Sequence, residues 1–275
     1  MNSTVVRSLS GIVFLGIMVS GILLGLETFF ILSSILIVLG MLEFYQMTMP
    51  GVALLQKILA VACGILLNVA VTFTFAIPIE WRAVAAYALA PLLVVAIFVS
   101  MLYTKLEQPF KHLGYLITGI FYVALPFSLL SLLTVMPINI LGGSLTNANM
   151  YIPLAYFIIL WSNDVGAYCF GITLGRGGKH KFFPRHSPKK TWEGFIGGAL
   201  MAMFAGYLLS TFMFNGVYLW VWVGLGLVVA IFGTFGDLVE SMLKRSAGVK
   251  DSGKIMPGHG GIQIGRAHVC TPVTQ

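Results

Sequence analysis

Residues 83–102 read AVAAYALAPLLVVAIFVSML, a run of small and apolar residues that contains no charge. About 20 such residues are needed for a helix to cross the hydrocarbon core of a bilayer, so this run predicts a transmembrane helix. Outward from it, similar runs fill most of the chain, at residues 9–26, 28–42, 57–77, 113–136, 151–175, 194–214 and 218–236. The sequence therefore predicts an all-α polytopic membrane protein with about eight spans. The second run is short and is compatible with a re-entrant or half-span element.

The composition excludes a water-soluble protein. Of the 275 residues, 58% are hydrophobic and only 9% are charged, whereas a soluble domain carries about 25% charged residues. The three cysteines, Cys63, Cys169 and Cys270, fit neither a disulfide framework nor a zinc site. The net charge of +7 indicates orientation in the membrane and contact with anionic lipid rather than with nucleic acid.

The basic residues predict the orientation of the spans. With eight spans and the amino terminus inside, the inside segments contain all 16 Lys and Arg residues except Arg82. Cytoplasmic loops are enriched in Lys and Arg in this way. We therefore expect the cell (inner) membrane as the location, with the cytoplasmic segments at residues 1–8, 43–57, 103–112, 176–193 and 237–275.

Asp164 lies near the middle of the apolar run at residues 151–175. A carboxylate at that depth costs about 2.5–3.5 kcal/mol on insertion scales, and such residues normally face a polar cavity, a cation or a partner. Asp164 is therefore a candidate functional residue. The alternative is a structural aspartate that is protonated or paired with an Asn side chain.

A second group of polar residues follows the last apolar run. At 3.6 residues per turn, Asp237, Glu240, Ser241 and Lys244 fall on one stripe of a helix. This arrangement predicts two carboxylates, a hydroxyl and an amine where the helix leaves the apolar core. The alternative is an ordinary amphipathic helix end whose charged face is solvated.

Two basic, glycine-rich segments, residues 176–192 and 244–261, flank one helical hairpin and must emerge on the same face. In the second segment, glycines let the backbone approach an anion, Lys250 and Lys254 would neutralise phosphate, and Asp251 could hold a divalent cation. The spacing of a Walker A loop is absent. His259 alone is a weak signal of metal binding.

In the first segment, Ser187 before Pro188, with Glu193 downstream, predicts a helix start whose N–H groups favour an anion. The simpler interpretation of both segments is a pair of loops attracted to anionic lipid. That interpretation leaves the nearby carboxylates unexplained. Together, the carboxylates and the lysine-rich loops indicate a metal-assisted reaction on a phosphorylated substrate that is itself a lipid.

Four motifs then indicate a family. SPKKTWEG at 187–194, GDLVESMLKR at 236–245, KDSGKIMPGHGG at 250–261 and NDVGAY at 163–168 resemble those of the phosphatidate cytidylyltransferases (CDP-diacylglycerol synthases). The resemblance covers residues 151–262, whereas the first 150 residues match only as apolar spans. It implies transfer of CMP from CTP to phosphatidate, which gives CDP-diacylglycerol and pyrophosphate. It also implies Mg²⁺ as cofactor, with a second cation left open.

The resemblance suggests roles for individual residues. The expected catalytic residues are Asp237, Asp251, Lys254, Lys244 and Arg245. The expected substrate-binding residues are Ser187, Lys189, Lys190, Lys250, His259, Gly260 and Gly261. We expect Asp237 and Asp251 to bind the metal, with Glu240 or Asp164 as a further ligand or as support for the ligands. Because a phosphate monoester is already largely dianionic at neutral pH, no strong general base is required.

The chain divides into amino-terminal spans at residues 1–150, a catalytic membrane region at 151–262 and a divergent tail at 263–275. After the glycine-rich loop the family continues with Leu-Asp-Arg-x-Asp and a ninth span, whereas this tail reads QIGRAHVCTPVTQ. We expect the tail to be an artefact of sequence assembly. As written, the chain is expected to bind CTP weakly and to make little CDP-diacylglycerol.

Two other functions stay open from the residues alone, a CTP-dependent lipid-alcohol kinase and a secondary transporter in which Asp164 couples an ion. CTP and phosphatidate in the membrane are the expected partners, without nucleic acid. The sequence leaves a homodimer open.

Overall fold

The computed structural model describes residues 3–74, 81–135, 151–175, 180–185, 187–214 and 217–249, with the backbone alone for residues 3–8 and Lys189. The described part is predominantly helical. Its helices are α1 Ser3–Leu23, α2 Leu26–Thr48, α3 Leu54–Phe73, α4 Trp81–Leu102, α5 Pro109–Gly119, α6 Leu125–Leu132, α7 Ile152–Thr173, α8 Trp192–Phe212 and α9 Leu219–Ser246. A π-helical turn at Ile120–Ala124 joins α5 to α6. Each predicted apolar run coincides with one of these helices or, at residues 113–136, with the joined pair.

Six of the described helices are long and apolar enough to cross a bilayer: α2, α3, α4, the joined α5–α6, α8 and α9. The predicted all-α, multi-pass membrane protein is therefore confirmed. The half-span suggested for the second run is wrong, because α2 is a continuous helix of 23 residues. Its polar residues Glu43 and Tyr45, which follow the apolar run, are buried against neighbouring helices instead of ending the helix.

The amino-terminal helices pack around a core that includes Met41, Tyr45 and Leu116. Several polar groups inside this part of the membrane are paired: the Asn68 amide donates to the Ser33 and Ser34 hydroxyls at 3.2 and 3.0 Å. Tyr45 donates its hydroxyl to the Leu116 carbonyl at 2.7 Å. Such pairing is expected because lipid offers polar groups no partner.

Helices α7, α8 and α9 pack together through small residues. A Cβ atom on Gly166 of α7 would lie 2.7 Å from the Met201 Cβ of α8, and one on Gly226 of α9 would lie 2.6 Å from the Ala202 carbonyl oxygen. These glycines therefore set how closely the backbones approach, as is common in membrane proteins. The three helices form a unit that carries the candidate site.

Between α7 and α8 the chain forms a short antiparallel hairpin of β1 Lys181–Phe183 and β2 Ser187–Thr191, an addition to the predicted all-α fold. Phe182 is buried and packs on Trp192 and Phe195 with ring centroids 4.5 and 5.0 Å away. This contact fastens the hairpin to the start of α8.

The predicted helix start at Ser187 is wrong by several residues. Ser187 and Pro188 belong to β2, and α8 begins at Trp192. Thr191 caps the helix, since its hydroxyl accepts the Gly194 N–H at 3.2 Å. The pairing of β2 with β1 holds the chain extended up to this residue, and the threonine then satisfies one of the free N–H groups of the first turn.

Candidate active site

The candidate site lies where the hairpin meets the carboxyl-terminal half of α9. Lys190 of β2 forms an ion pair with Asp237 of α9, with 2.5 Å between Nζ and Oδ2. The same ammonium donates to the Thr234 carbonyl oxygen at 3.4 Å. Both charged side chains keep some exposure, 28% for Lys190 and 38% for Asp237. The contact confirms that the first basic segment lies beside the polar end of α9.

Asp164 joins this pair from α7, since its carboxyl group interacts electrostatically with both Asp237 and Lys190. Its Oδ1 accepts a long hydrogen bond of 3.4 Å from the Asn163 amide. Its Oδ2 is buried and finds no hydrogen-bond partner among the described residues. Residues from α7, β2 and α9 thus bring two carboxylates and one ammonium together inside the three-helix unit.

The predicted polar stripe of α9 faces the protein. Asp237, Ser241 and Lys244 are partly buried and Glu240 is only 5% exposed. Several large apolar side chains on the same stretch point outward, such as Phe232, Phe235, Val239 and Met242, whereas Leu238 is buried. The alternative of a solvated charged helix face is therefore wrong: the polarity is inverted, as expected for a polar interior enclosed by lipid.

Glu240 and Lys244 pair with each other one turn along α9, with 3.2 Å between Oε1 and Nζ. Leu243, beside them, packs against the amino-terminal core. The structure thus places this second ion pair towards the amino-terminal helices, while Arg245 is exposed.

In the part of the chain that the structure describes, no three His, Cys, Asp or Glu residues are grouped closely enough to hold a metal ion.

At the start of α8 a third pair closes the hairpin. His180 Nδ1 lies 2.7 Å from Glu193 Oε1, and the His180 carbonyl accepts the Trp192 N–H at 3.0 Å. Ser187, a predicted substrate-binding residue, is partly buried on β2 opposite Phe183. It lies on the same strand as Lys190, three residues before it.

Several predicted site residues lie outside the described part of the chain. These are Lys250, Asp251, Lys254, His259, Gly260 and Gly261, together with the side chain of Lys189. Their assignments stay predictions.

The structure also adds residues that the sequence reasoning left out of the site. Asn163 is 3% exposed and touches Asp164, and Thr234 supplies a carbonyl to Lys190. The sequence could have indicated Asn163, because it places an amide directly next to an intramembrane carboxylate. Nothing in the sequence marks Thr234, because its contribution is a backbone oxygen.

Comparison with known proteins agrees with this picture. The model of the cytidylyltransferase family matches residues 5–263. A phosphatidate cytidylyltransferase of Staphylococcus aureus (strain COL) is 48% identical over 106 residues, which are 38% of this chain and 40% of that protein. Proteins of the same name from Staphylococcus haemolyticus and Staphylococcus saprophyticus are 46% and 45% identical over matches of the same extent.

The aligned part is thus well under half the length of these curated relatives, whereas the family match extends over nearly the whole chain. The agreement includes the amino-terminal spans, for which the sequence motifs gave no specific information. The chain belongs to the cytidylyltransferase family.

Proposed function

We propose that this protein transfers CMP from CTP to phosphatidate and releases pyrophosphate, so that CDP-diacylglycerol forms in the membrane. The observation that carries the proposal is the contact between Lys190 and Asp237, with Asp164 beside them. It joins the strand that carries lysines expected to bind phosphate to carboxylates of the membrane helices at one point. The names of the staphylococcal relatives support the same reaction.

The reaction needs positioning and charge neutralisation more than proton transfer. The phosphate monoester of phosphatidate attacks the α-phosphorus of CTP, and the bond from that phosphorus to the β-phosphate bridging oxygen breaks to release pyrophosphate. The main obstacles are bringing two polyanions together and stabilising charge at the phosphorus. Lysines 189, 190, 250 and 254, with Arg245, are proposed to neutralise the phosphates, and Ser187 to offer a hydrogen bond.

The carboxylates are proposed to hold Mg²⁺. Their donor set fits this ion, because Mg²⁺ prefers oxygen ligands and is bound in proteins by one or two carboxylates plus substrate phosphates. The buried Oδ2 of Asp164 that finds no hydrogen-bond partner among the described residues is a suitable donor. Bound there, Mg²⁺ would neutralise phosphate charge in the transition state.

Of the two further ligands that the sequence suggested, Asp164 is the better placed. It interacts with Asp237, whereas Glu240 is paired with Lys244. We therefore propose Asp237, Asp164 and Asp251 as the metal-binding carboxylates, with Glu240 holding Lys244 in place. Lys244 would then support the site through this ion pair.

We further propose that the site opens to the cytoplasm of a cell (inner) membrane. The concentration of Lys and Arg around the hairpin and beyond α9 supports this orientation. CTP would then enter from the aqueous side, while phosphatidate would approach from the bilayer between the helices.

The test is a nucleotide assay with purified protein in detergent micelles that contain phosphatidate, CTP and Mg²⁺. Two forms are compared, the chain as written and a form whose residues 263–275 are replaced by the acidic ending of the family. We expect the second form to release pyrophosphate and form CDP-diacylglycerol in equal amounts. Release of CDP would indicate a lipid kinase instead. The absence of any CTP turnover in the second form would reject the proposal.

A further inference from the structure

We propose that Lys190 is a positioning residue that serves as the built-in counter-cation of Asp237 and Asp164, and that a divalent cation binds by displacing its ammonium from Asp237. The proposal deepens the proposed function and depends on it only for the identity of the cation. It assigns Lys190 a role on the carboxylates in addition to the phosphate contact expected from the sequence.

The charges explain why such a residue is needed. Asp164 and Asp237 come from two different helices and interact electrostatically, so negative charges on both would repel each other inside a membrane protein. Lys190 interacts with both carboxylates and contacts Asp237 directly. An ammonium there offsets part of this repulsion. It therefore keeps α7 and α9 together when no divalent cation is bound.

The contact geometry makes the two cations competitors. The Lys190 ammonium lies 2.5 Å from Asp237 Oδ2 and also donates to the Thr234 carbonyl oxygen, on the preceding turn of α9. A metal ion that binds Asp237 Oδ2 must approach to about 2.0–2.1 Å for Mg²⁺. A divalent cation on this oxygen and the ammonium would repel each other strongly, so that binding of the cation favours displacement of the ammonium.

The hairpin lets Lys190 move without unfolding the site. Its backbone is fixed through pairing with β1, the buried Phe182 and the Thr191 cap of α8. The side chain, in contrast, is a flexible four-carbon stem that carries a point charge. After displacement the ammonium stays beside the cation, where it can meet the phosphates of a nucleotide.

The other charged pairs near the site do not offer this exchange. Lys244 is paired with Glu240, and its side chain is only 15% exposed. His180 and Glu193 pair with each other at the outer end of the hairpin. Among the basic side chains that the structure describes, Lys190 is therefore the one whose removal should change cation affinity at Asp237.

The experiment measures Mn²⁺ binding to the purified 275-residue chain by electron paramagnetic resonance, in detergent and without CTP or phosphatidate. Lys190→Met removes the competing ammonium and should therefore tighten Mn²⁺ binding about 5-fold or more. This factor is at the lower end of the usual range for coupling between two ligands. Lys190→Arg should stay near the wild-type affinity. Lys181→Met, which removes the same charge from an exposed position of the same hairpin, should leave the affinity unchanged.

The Asp237→Asn background tests whether the competition acts at Asp237. In that background Lys190→Met should give no tightening, since the shared oxygen ligand is altered. Unchanged or weaker Mn²⁺ binding in Lys190→Met, or equal tightening with Asp237→Asn, would overturn the proposal. Should Lys190→Met fail to give monodisperse protein, Lys190→Gln supplies the same loss of charge with a polar side chain.

This measurement separates the inference from the proposed reaction. Tightened Mn²⁺ binding together with no CTP turnover in either form of the chain would reject the reaction and keep the counter-cation role. Turnover of CTP together with unchanged Mn²⁺ binding in Lys190→Met would keep the reaction and reject the counter-cation role.

Discussion

Nζ of Lys190 and Oδ2 of Asp237 lie 2.5 Å apart, and this pair joins the hairpin to α9. It connects a segment predicted to bind phosphate with a residue predicted to bind metal. Because one contact serves both, substitutions at its two ends should have different consequences. Removing the carboxylate should weaken cation binding, whereas removing the lysine should relieve competition for the same oxygen.

Asp237→Asn keeps the size of the side chain and removes its charge. In the form with the acidic family ending we expect CDP-diacylglycerol synthesis to fall by at least about 100-fold, comparable to the loss of a key electrostatic stabiliser. Turnover is measured over a range of Mg²⁺ concentrations. Glu107→Gln, the same change at an exposed loop position, is the control and should behave as wild type. Near-normal turnover with an unchanged Mg²⁺ requirement would remove Asp237 from the site.

Asp251→Asn should have an effect of similar size, about 100-fold or more. The reason is the same loss of a charged oxygen ligand, here in the glycine-rich segment beyond α9. The measurement is again Mg²⁺-dependent pyrophosphate release in the form with the acidic ending. An unchanged rate at low Mg²⁺ would show that this segment contributes no ligand.

Phe182→Ala should loosen the hairpin from α8, because Phe182 is 8% exposed and packs on Trp192 and Phe195. Truncation of a buried phenylalanine typically costs about 3–5 kcal/mol. We expect faster tryptic cleavage at Lys181 and Arg185 in detergent, followed by mass spectrometry. Phe183→Ala is the matched control, since Phe183 is 42% exposed and should leave the cleavage rate nearly unchanged. Equal rates for both variants would contradict the packing role.

Gly166→Ala should destabilise the protein by about 1–3 kcal/mol, the usual cost of overpacking. The added Cβ would lie 2.7 Å from Met201 and 2.8 Å from the Gly197 carbonyl oxygen, so α7 and α8 must separate. Thermal unfolding in detergent measures the loss. Gly224→Ala in α9 is the control, because its Cβ meets no atom within 4 Å. A Tm for Gly166→Ala at or above that of Gly224→Ala would show that the close approach is not required.

Labelling with a membrane-impermeant thiol reagent tests the orientation. In a chain whose own cysteines are replaced by alanine, single cysteines at Ser187 and Gly258 should react from the cytoplasmic side and one at Asn147 from the other. The basic loops around the hairpin favour this arrangement. Reaction of Asn147 and Gly258 from the same side would exclude it.

The sequence by itself determined that this is an all-α, multi-pass membrane protein, and the reason is physical. In lipid every backbone polar group must be satisfied within the segment, so an uninterrupted apolar run has to be a helix. The cost of burying a carboxylate likewise marked Asp164 as a candidate functional residue, which stays a prediction. The helical period correctly placed Asp237, Glu240, Ser241 and Lys244 on one stripe, because neighbours three and four residues apart share a face in any helix.

The tertiary structure decided which of these residues meet. Asp237 pairs with Lys190, whereas Glu240, one turn away, pairs with Lys244. The start of α8 also depended on the pairing of β2 with β1, which overrode the helix-start signal at Ser187. Local patterns fix the helices and their faces, but contacts between distant segments depend on how α7, α8 and α9 pack. That packing is set by glycines whose importance appears only when the opposing side chains, such as Met201 against Gly166, are in place.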